Sequence, residues 1–540
     1  MAFRDQWVDT TTEVIAKTSG GRVRGVREGG ISRFLGIPYA AAPVGDNRFT
    51  APRRASWGDD VLPVDDWGPT APQRPVPDPF SRIIKEPDVR GDDYLNLNIW
   101  TKGAHGAGLP VMVWIHGGAF RTGSNRVELY DGSAFARDDV VCVSINYRLG
   151  VEGFAYIPDA EAPANRGLLD QLFALRWVQD NIMEFGGDPT RVTLIGESAG
   201  AMSVTTLLAL AGGSGRGLFH RAIMQSGAGH CAQTRDDADR VNVLLAEQLG
   251  IGQVTVAGLA GVSVDRILDV QTDISDEVAT RPDRVKHGDS TVMSGMAFLP
   301  IVDSDLLSGR PIDLIAAGAG SDIPIITGTN TQEYRLFLAP VGAFLSLNPG
   351  DFKPRLTPYG ISQAIPDIWD SYKERLPSDT RPAGIFSQIA TDFFFRVPCF
   401  RIAEARTNAP APTHVYEFDW RSPRRIVGTV ADLGACHALE LGFVFDTLSA
   451  AAPIAGGPPV HEDQQRPPQQ LADAMHGAWV DFVKSGDPGW PRYTLPSRTV
   501  QTFSKGGDPD RTEVVDNPRA DDRRLWKSFV TPPDNSPEIP

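Results

Sequence analysis

"VTLIGESAGAMSV", residues 192–204, runs a strand-like apolar stretch straight into a glycine, an acid, a serine, an alanine and a second glycine. Two readings compete for this bracket. Gly196 and Gly200 can simply relieve a crowded strand-to-helix turn, because glycine accepts backbone conformations that other residues resist. Alternatively, the turn holds Ser198 exposed and strained as a nucleophile, the G-x-S-x-G elbow. Short patterns recur by chance, so the decision rests on the rest of the chain.

Several neighbouring runs share the continuous apolar character of that strand. They are residues 109–118, 140–148, 191–200, 220–227, 322–330 and 413–420. Without polar alternation they read as buried parallel strands. Between them, "GLLDQLFALRWVQDNIMEF" sets Leu168, Gln171, Leu172, Leu175, Val178 and Ile182 at helical spacing, with Asp170 and Arg176 on other faces. Strands alternating with helices predict an α/β fold, a large and mostly parallel central sheet flanked by helices and carrying long insertions. The Pro-, Gly- and Gln-rich stretch 451–470 reads as a loop, and a helix over 471–486 follows, stopped by Gly486. No repeat or hard linker interrupts the chain, so residues 1–540 are read as one elaborated domain.

The bulk composition excludes several function classes. The chain is 41% hydrophobic with a net charge of −15, which gives no support to nucleic-acid binding or to an anionic membrane surface. No run reaches the roughly 18 apolar residues of a membrane span, and the first residues lack a signal-peptide pattern. Four scattered cysteines, Cys142, Cys231, Cys399 and Cys436, make neither a disulfide scaffold nor a zinc cluster. The expectation is a cytoplasmic protein with no metal and no cofactor. Its oligomeric state is left open, and a monomer is compatible with the sequence.

Ligands of open α/β sheets sit beyond the carboxyl ends of the strands. There the first run ends in "HGGAF" (116–120), whose Gly117 and Gly118 N–H groups can approach a developing oxyanion. Ala199 N–H, just after the serine, supplies a second source of donors. Taken alone, "HGG" is a flexible turn; with the elbow downstream, the catalytic reading is the better one. A serine hydroxyl needs a base, and the base needs a third group to fix its tautomer. His461 lies in the Pro-rich loop, His476 in a helix, and His414 at the start of a strand. His437, in "GACHALELGFVF", can reach the sheet edge, and spacing favours it without deciding. Glu333 follows the run 322–330 and falls between Ser198 and His437, in the serine–acid–histidine order of elbow enzymes.

The chain resembles the type-B carboxylesterase family, which includes bacterial p-nitrobenzyl esterases and cholinesterases. The resemblance runs through "FLGIPYAAAPVGDNRFTAP", "DDYLNLNIW", "VWIHGGAF", the block 165–200, "LFHRAIMQSG", "GTNTQE", "HALELGFVF" and "WVDFVKSGDP", in family order. It implies an α/β-hydrolase fold with Ser198 as nucleophile, Glu333 as acid and His437 as base. It also implies an oxyanion hole of Gly117, Gly118 and Ala199, with Glu197 and Ser226 supporting the site. Phe120 and Phe337 are candidate pocket residues by the same likeness, with core packing as the alternative.

The chain departs from the family at several places. Tyr94 stands where the family has a cysteine, so the first family disulfide loop cannot form, and the second lacks a partner. Tyr334 and Ala438 replace glycines common in the family and bear on the gorge wall. The implied activity is hydrolysis of a small-molecule carboxylic ester through an acyl-enzyme. A carbamate or aryl-amide hydrolase with the same triad is the alternative, and a non-catalytic binding or adhesion module ranks below both.

Overall fold

Side-chain alternation along the strands builds the two layers of this molecule. The computed structural model describes residues 11–530 except 304, 347, 379, 426–431, 452–453 and 455–466. In chain order the first strands are β1 (Thr12–Thr18), β2 (Gly21–Glu28), β3 (Ile31–Pro38), β4 (Val61–Pro63) and β5 (Asn96–Thr101). The expected apolar runs supply β6 (Leu109–Ile115), β7 (Val141–Ile145), β8 (Gly187–Glu197), β9 (Arg221–Gln225), β10 (Ile325–Asn330) and β11 (Thr413–Phe418). β12 (Ser422–Arg425), β13 (Asp432–Gly434), β14 (Val500–Phe503) and β15 (Glu513–Val515) follow.

Among the described residues, 13 strands form one sheet in the order β1-β2-β3-β5-β7-β6-β8-β9-β10-β11-β14-β15, with β4 on β2. From β7 across to β14 every pairing is parallel. β1, β2, β3 and β5 on one side and β15 on the other pair antiparallel, and β4 lies parallel on β2. β12 and β13 form a separate antiparallel pair.

Successive strand residues face opposite sides. On β6, Val111, Val113 and Ile115 therefore join one core while Met112 and Trp114 join the other. β7 and β9 divide in the same way, Val143 and Met224 from Cys142 and Ile223. The first core is closed by the helices Arg166–Asn181 and Ala199–Ala209, through residues such as Leu172, Val178, Val204 and Leu207. The second is closed by Pro382–Thr391 and Gln469–Ser485, through Ile389, Met475, Trp479 and Phe482. The last of these helices ends on Gly486 in the left-handed region, φ 85°, as the sequence predicts.

One helix shows more than its spacing implies. Asp170, set on another face from the apolar positions, is nevertheless fully buried, and its carboxylate takes Arg148 Nη2 at 2.6 Å and Nε at 2.8 Å. A paired charge can be buried where a lone one cannot. Residues 452–453 and 455–466 of the expected 451–470 loop, His461 among them, lie outside the described residues. So do residues 1–10. No helix among the described residues is long and apolar enough to cross a membrane.

Candidate active site

Glycine packing explains how the chain holds Ser198 at the carboxyl end of the central strand β8. β8 ends at Glu197, and the helix Ala199–Ala209 starts at once. Ser198 between them has φ 56° and ψ −125°, a strained backbone for a residue with a side chain. A Cβ on Gly196 would stand 2.5 Å from the carbonyl of Gly200, and one on Gly200 would stand 2.1 Å from Ile115 O. Both glycines thus let the helix press against β8 and β6, so the crowded turn and the strained serine are one device. Ser198 N–H donates to Gln225 O at 2.9 Å, which ties the elbow to the end of β9. Ser198 is partly accessible while its chain neighbours are buried.

The loop after β6 lies against the elbow. A Cβ on Gly117 would meet Ser198 Cβ at 3.0 Å, so that backbone sits directly beside the serine. Gly118 has φ 105°, where a Cβ would strike Thr122 O at 2.2 Å. Among the described residues, the N–H groups of Gly117, Gly118 and Ala199 donate to no protein acceptor. Behind them, His116 Nδ1 donates to Gly117 O at 2.8 Å and the ring stacks on Tyr147 at 4.6 Å. Burial holds the His116 pKa at about 4, so this brace is neutral.

β10 carries the acid. Glu333 follows it in a tight turn and is fully buried. Its Oε1 accepts Ser226 Oγ at 2.6 Å and Asn330 N–H at 2.7 Å, and its Oε2 faces His437 Nδ1 at 2.7 Å. Every oxygen of this carboxylate is engaged, as a buried charge requires. The loop after β13 brings His437 in. Its N–H donates to Glu333 O at 3.2 Å, and Gln332 N–H donates to Ala435 O at 3.0 Å. Ala438 adopts φ 63°, a conformation that explains why glycine is common there.

On its other side, His437 Nε2 lies 3.1 Å from Glu197 Oε1. No hydrogen bond joins it to Ser198 Oγ, whose hydroxyl is unengaged among the described residues. Burial pushes the His437 pKa down, but the charges of Glu197, Glu333 and Glu440 outweigh it and raise it to about 9. Glu197 itself is pushed up to about 8, by burial first and then by Glu440 and Glu333, against the pull of His437.

Glu440 was not singled out in the sequence. It is fully buried, accepts Gln225 Nε2 at 3.1 Å and Asn330 Nδ2 at 2.5 Å, and its pKa is raised to about 7 by burial and by Glu333. Its signal was there: a glutamate three residues after His437 in an otherwise apolar stretch. Phe395, also missed, packs on His437 with ring centres 4.8 Å apart, and Phe337 packs at 5.6 Å and is 39% exposed. Phe120 has the other outcome of its two readings. Its ring is fully buried against Phe154 at 4.8 Å and belongs to the core. The structure therefore gathers Ser198, Glu197, Gly117, Gly118, Ala199, Glu333, His437, Ser226 and Phe337 beyond the carboxyl ends of the central strands β6, β8, β9 and β10, and leaves Phe120 in the core.

The carboxylesterase family matches residues 12–512. The para-nitrobenzyl esterase of Bacillus subtilis (strain 168) is 35% identical over 497 residues, 90% of this chain and 94% of its own. The phenmedipham hydrolase of Pseudarthrobacter oxydans is 33% identical over 524 residues, 92% of this chain and 96% of its own. Among solved structures, the Geobacillus stearothermophilus carboxylesterase EST55 at pH 6.2 superposes with a TM-score of 0.79 at 33% identity, covering 95% of this chain and 99% of that one. The sheet and its flanking helices are those of the α/β-hydrolase fold. The chain belongs to the carboxylesterase family.

Proposed function

We propose that this enzyme cleaves small-molecule carboxylic esters with Ser198 as nucleophile, His437 as base and Glu333 as the carboxylate that orients the imidazole. The observation that carries the reading is the buried 2.7 Å contact between His437 Nδ1 and Glu333 Oε2, set beside an elbow that holds Ser198 at φ 56°. The Nδ1–H tautomer puts the basic lone pair on Nε2, the nitrogen that faces Glu197, and that atom takes the proton. Ser198 Oγ attacks the ester carbonyl as its proton passes to Nε2. The oxyanion is met by the N–H groups of Gly117, Gly118 and Ala199, which have no protein acceptor of their own. The C–O bond to the alcohol breaks as His437 returns the proton to the leaving oxygen. Water, deprotonated by His437, then releases the acid from Ser198.

Ser226 anchors Glu333, Glu197 orders the region next to Ser198, and Phe337 with Phe395 walls the space beside His437. A relative named for para-nitrobenzyl esters, together with this aromatic rim, supports substrates with an apolar or aromatic half. The acidic surface argues against a nucleic-acid partner. One sheet spanning β1 to β15 supports a single elaborated domain over 1–540. Four cysteines that are all free and buried support a reducing, cytoplasmic setting.

The test is hydrolysis of a matched ester, carbamate and anilide that share one acyl half. The account expects the ester to turn over fastest. Faster cleavage of the carbamate or anilide would reassign the leaving group while keeping the triad. Folded protein that turns over none of them would overturn the catalytic reading in favour of a binding role.

A further inference from the structure

Beyond the rings beside His437, the chain forms a cavity of about 700 Å³ that is open to solvent on one side, a size that suits a small organic ligand. Its inner wall is aromatic. Tyr334 and Phe394 line it, stacked 5.7 Å apart and 11° from parallel, with Phe386 buried next to them. Its rim is cationic. Arg281 and Arg355 both line the cavity and both are exposed. Neither makes a direct ion pair among the described residues, although Glu277, whose carboxylate Lys286 holds at 2.5 Å, has its pKa lowered first by Lys286 and further by the Arg281 charge. Arg355 lines the same cavity as Tyr334, and its charge opposes the burial that pushes the Tyr334 phenol up to about 12. Asp351 is the lining carboxylate, and its Oδ2 is taken by Asn348 N–H at 2.7 Å. In a chain of net charge −15, this cavity carries a local positive excess.

The cavity is separate from the triad but touches it through rings. Tyr334 directly follows Glu333 and packs on Phe337 at 5.2 Å, and Phe337 packs on His437 at 5.6 Å. Tyr334 is also where this chain departs from the family, so the aromatic wall is a feature of its own sequence.

We propose that this cavity is a second binding site for amphipathic carboxylates, with the apolar part against Tyr334, Phe386 and Phe394 and the carboxylate between Arg281 and Arg355. Guanidinium groups present planar forks that match a carboxylate, and apolar surface removed from water supplies the remaining affinity. Such acids are also what ester hydrolysis releases. That link rests on the proposed function, whereas the binding itself does not.

The experiment is calorimetric titration of the full chain with phenylbutyrate and with the neutral phenylbutanol. The same titrations are run on the Arg281→Gln/Arg355→Gln double variant, whose changes lie on the surface. The acid is expected to bind the unaltered chain about tenfold or more tighter than the alcohol, the margin of a charge-assisted hydrogen bond. The double variant should lose that margin while still turning over p-nitrophenyl acetate. Equal binding of acid and alcohol, or acid binding undiminished in the double variant, would overturn the proposal. Failure of the triad assignment would show differently, as absent turnover with the acid still bound.

Discussion

His437 Nε2 stands 3.1 Å from Glu197 Oε1, so the nitrogen that must receive the serine proton faces a carboxylate one residue before that serine. This contact sets the pH at which the site can work. After burial, which lowers it, the Glu197 charge is the largest influence on the His437 pKa, and the balance leaves it at about 9. A base must be unprotonated, so kcat/KM should climb as pH rises toward that value. Glu197→Gln removes the raising charge and should move the limb to lower pH by on the order of one unit. The measurement is kcat/KM for p-nitrophenyl butyrate from about pH 5 to about pH 10. A limb left in place by the substitution would mean that another group governs it.

The Ser226 hydroxyl is one of two donors on Glu333 Oε1, the other being Asn330 N–H. Ser226→Ala leaves the carboxylate with one donor and a looser aim at His437. We expect kcat to fall on the order of tenfold, equivalent to one neutral-to-charged hydrogen bond, with KM little changed. A raised KM with intact kcat would instead place Ser226 in substrate binding.

The elbow glycines give a stability prediction. A methyl group at Gly200 would stand 2.1 Å from Ile115 O and 2.9 Å from His116 O, both rigid backbone atoms. Gly200→Ala should therefore cost about 1–3 kcal/mol as the helix moves off the sheet, with activity falling alongside Tm. Thermal unfolding followed by circular dichroism checks it, and an unchanged Tm would show that the helix shifts freely.

Asp170→Asn tests the buried pair that Asp170 makes with Arg148. It leaves Arg148, 1% exposed, without its charge partner, and should destabilise by about 3–5 kcal/mol in denaturant unfolding. A loss below about 1 kcal/mol, the range of exposed pairs, would mean that water reaches the guanidinium.

Much of this fold was legible in the sequence because parallel strands buried on both faces write themselves as unbroken apolar runs. All six such runs became β6 to β11, and the ends of β6, β8 and β10 carry the candidate site. The N-terminal strands were missed because they write a different pattern. β1 and β2 alternate buried and exposed residues at the sheet edge, and the β2–β3 hairpin is marked by Gly29-Gly30, at φ 57° and 83°. The burial of Asp170 was not legible because helical spacing shows which face is polar but not that Arg148 waits to pair with it. Phe395 was missed for a related reason, since it reaches His437 by packing between distant segments, and Glu440, although only three residues past His437, is held by the distant Gln225 and Asn330. The backbone strain at Ser198 and Ala438 was only implied by glycine usage, in one case by glycines present and in the other by a glycine replaced.

The most direct measurement is turnover of p-nitrophenyl acetate, butyrate and octanoate by the unaltered enzyme and by Ser198→Ala, side by side. The account predicts rapid hydrolysis by the former and a loss on the order of 10⁶ in the latter, the scale seen when a triad serine is removed. Comparable hydrolysis by folded Ser198→Ala would contradict it, because the nucleophile would then lie elsewhere.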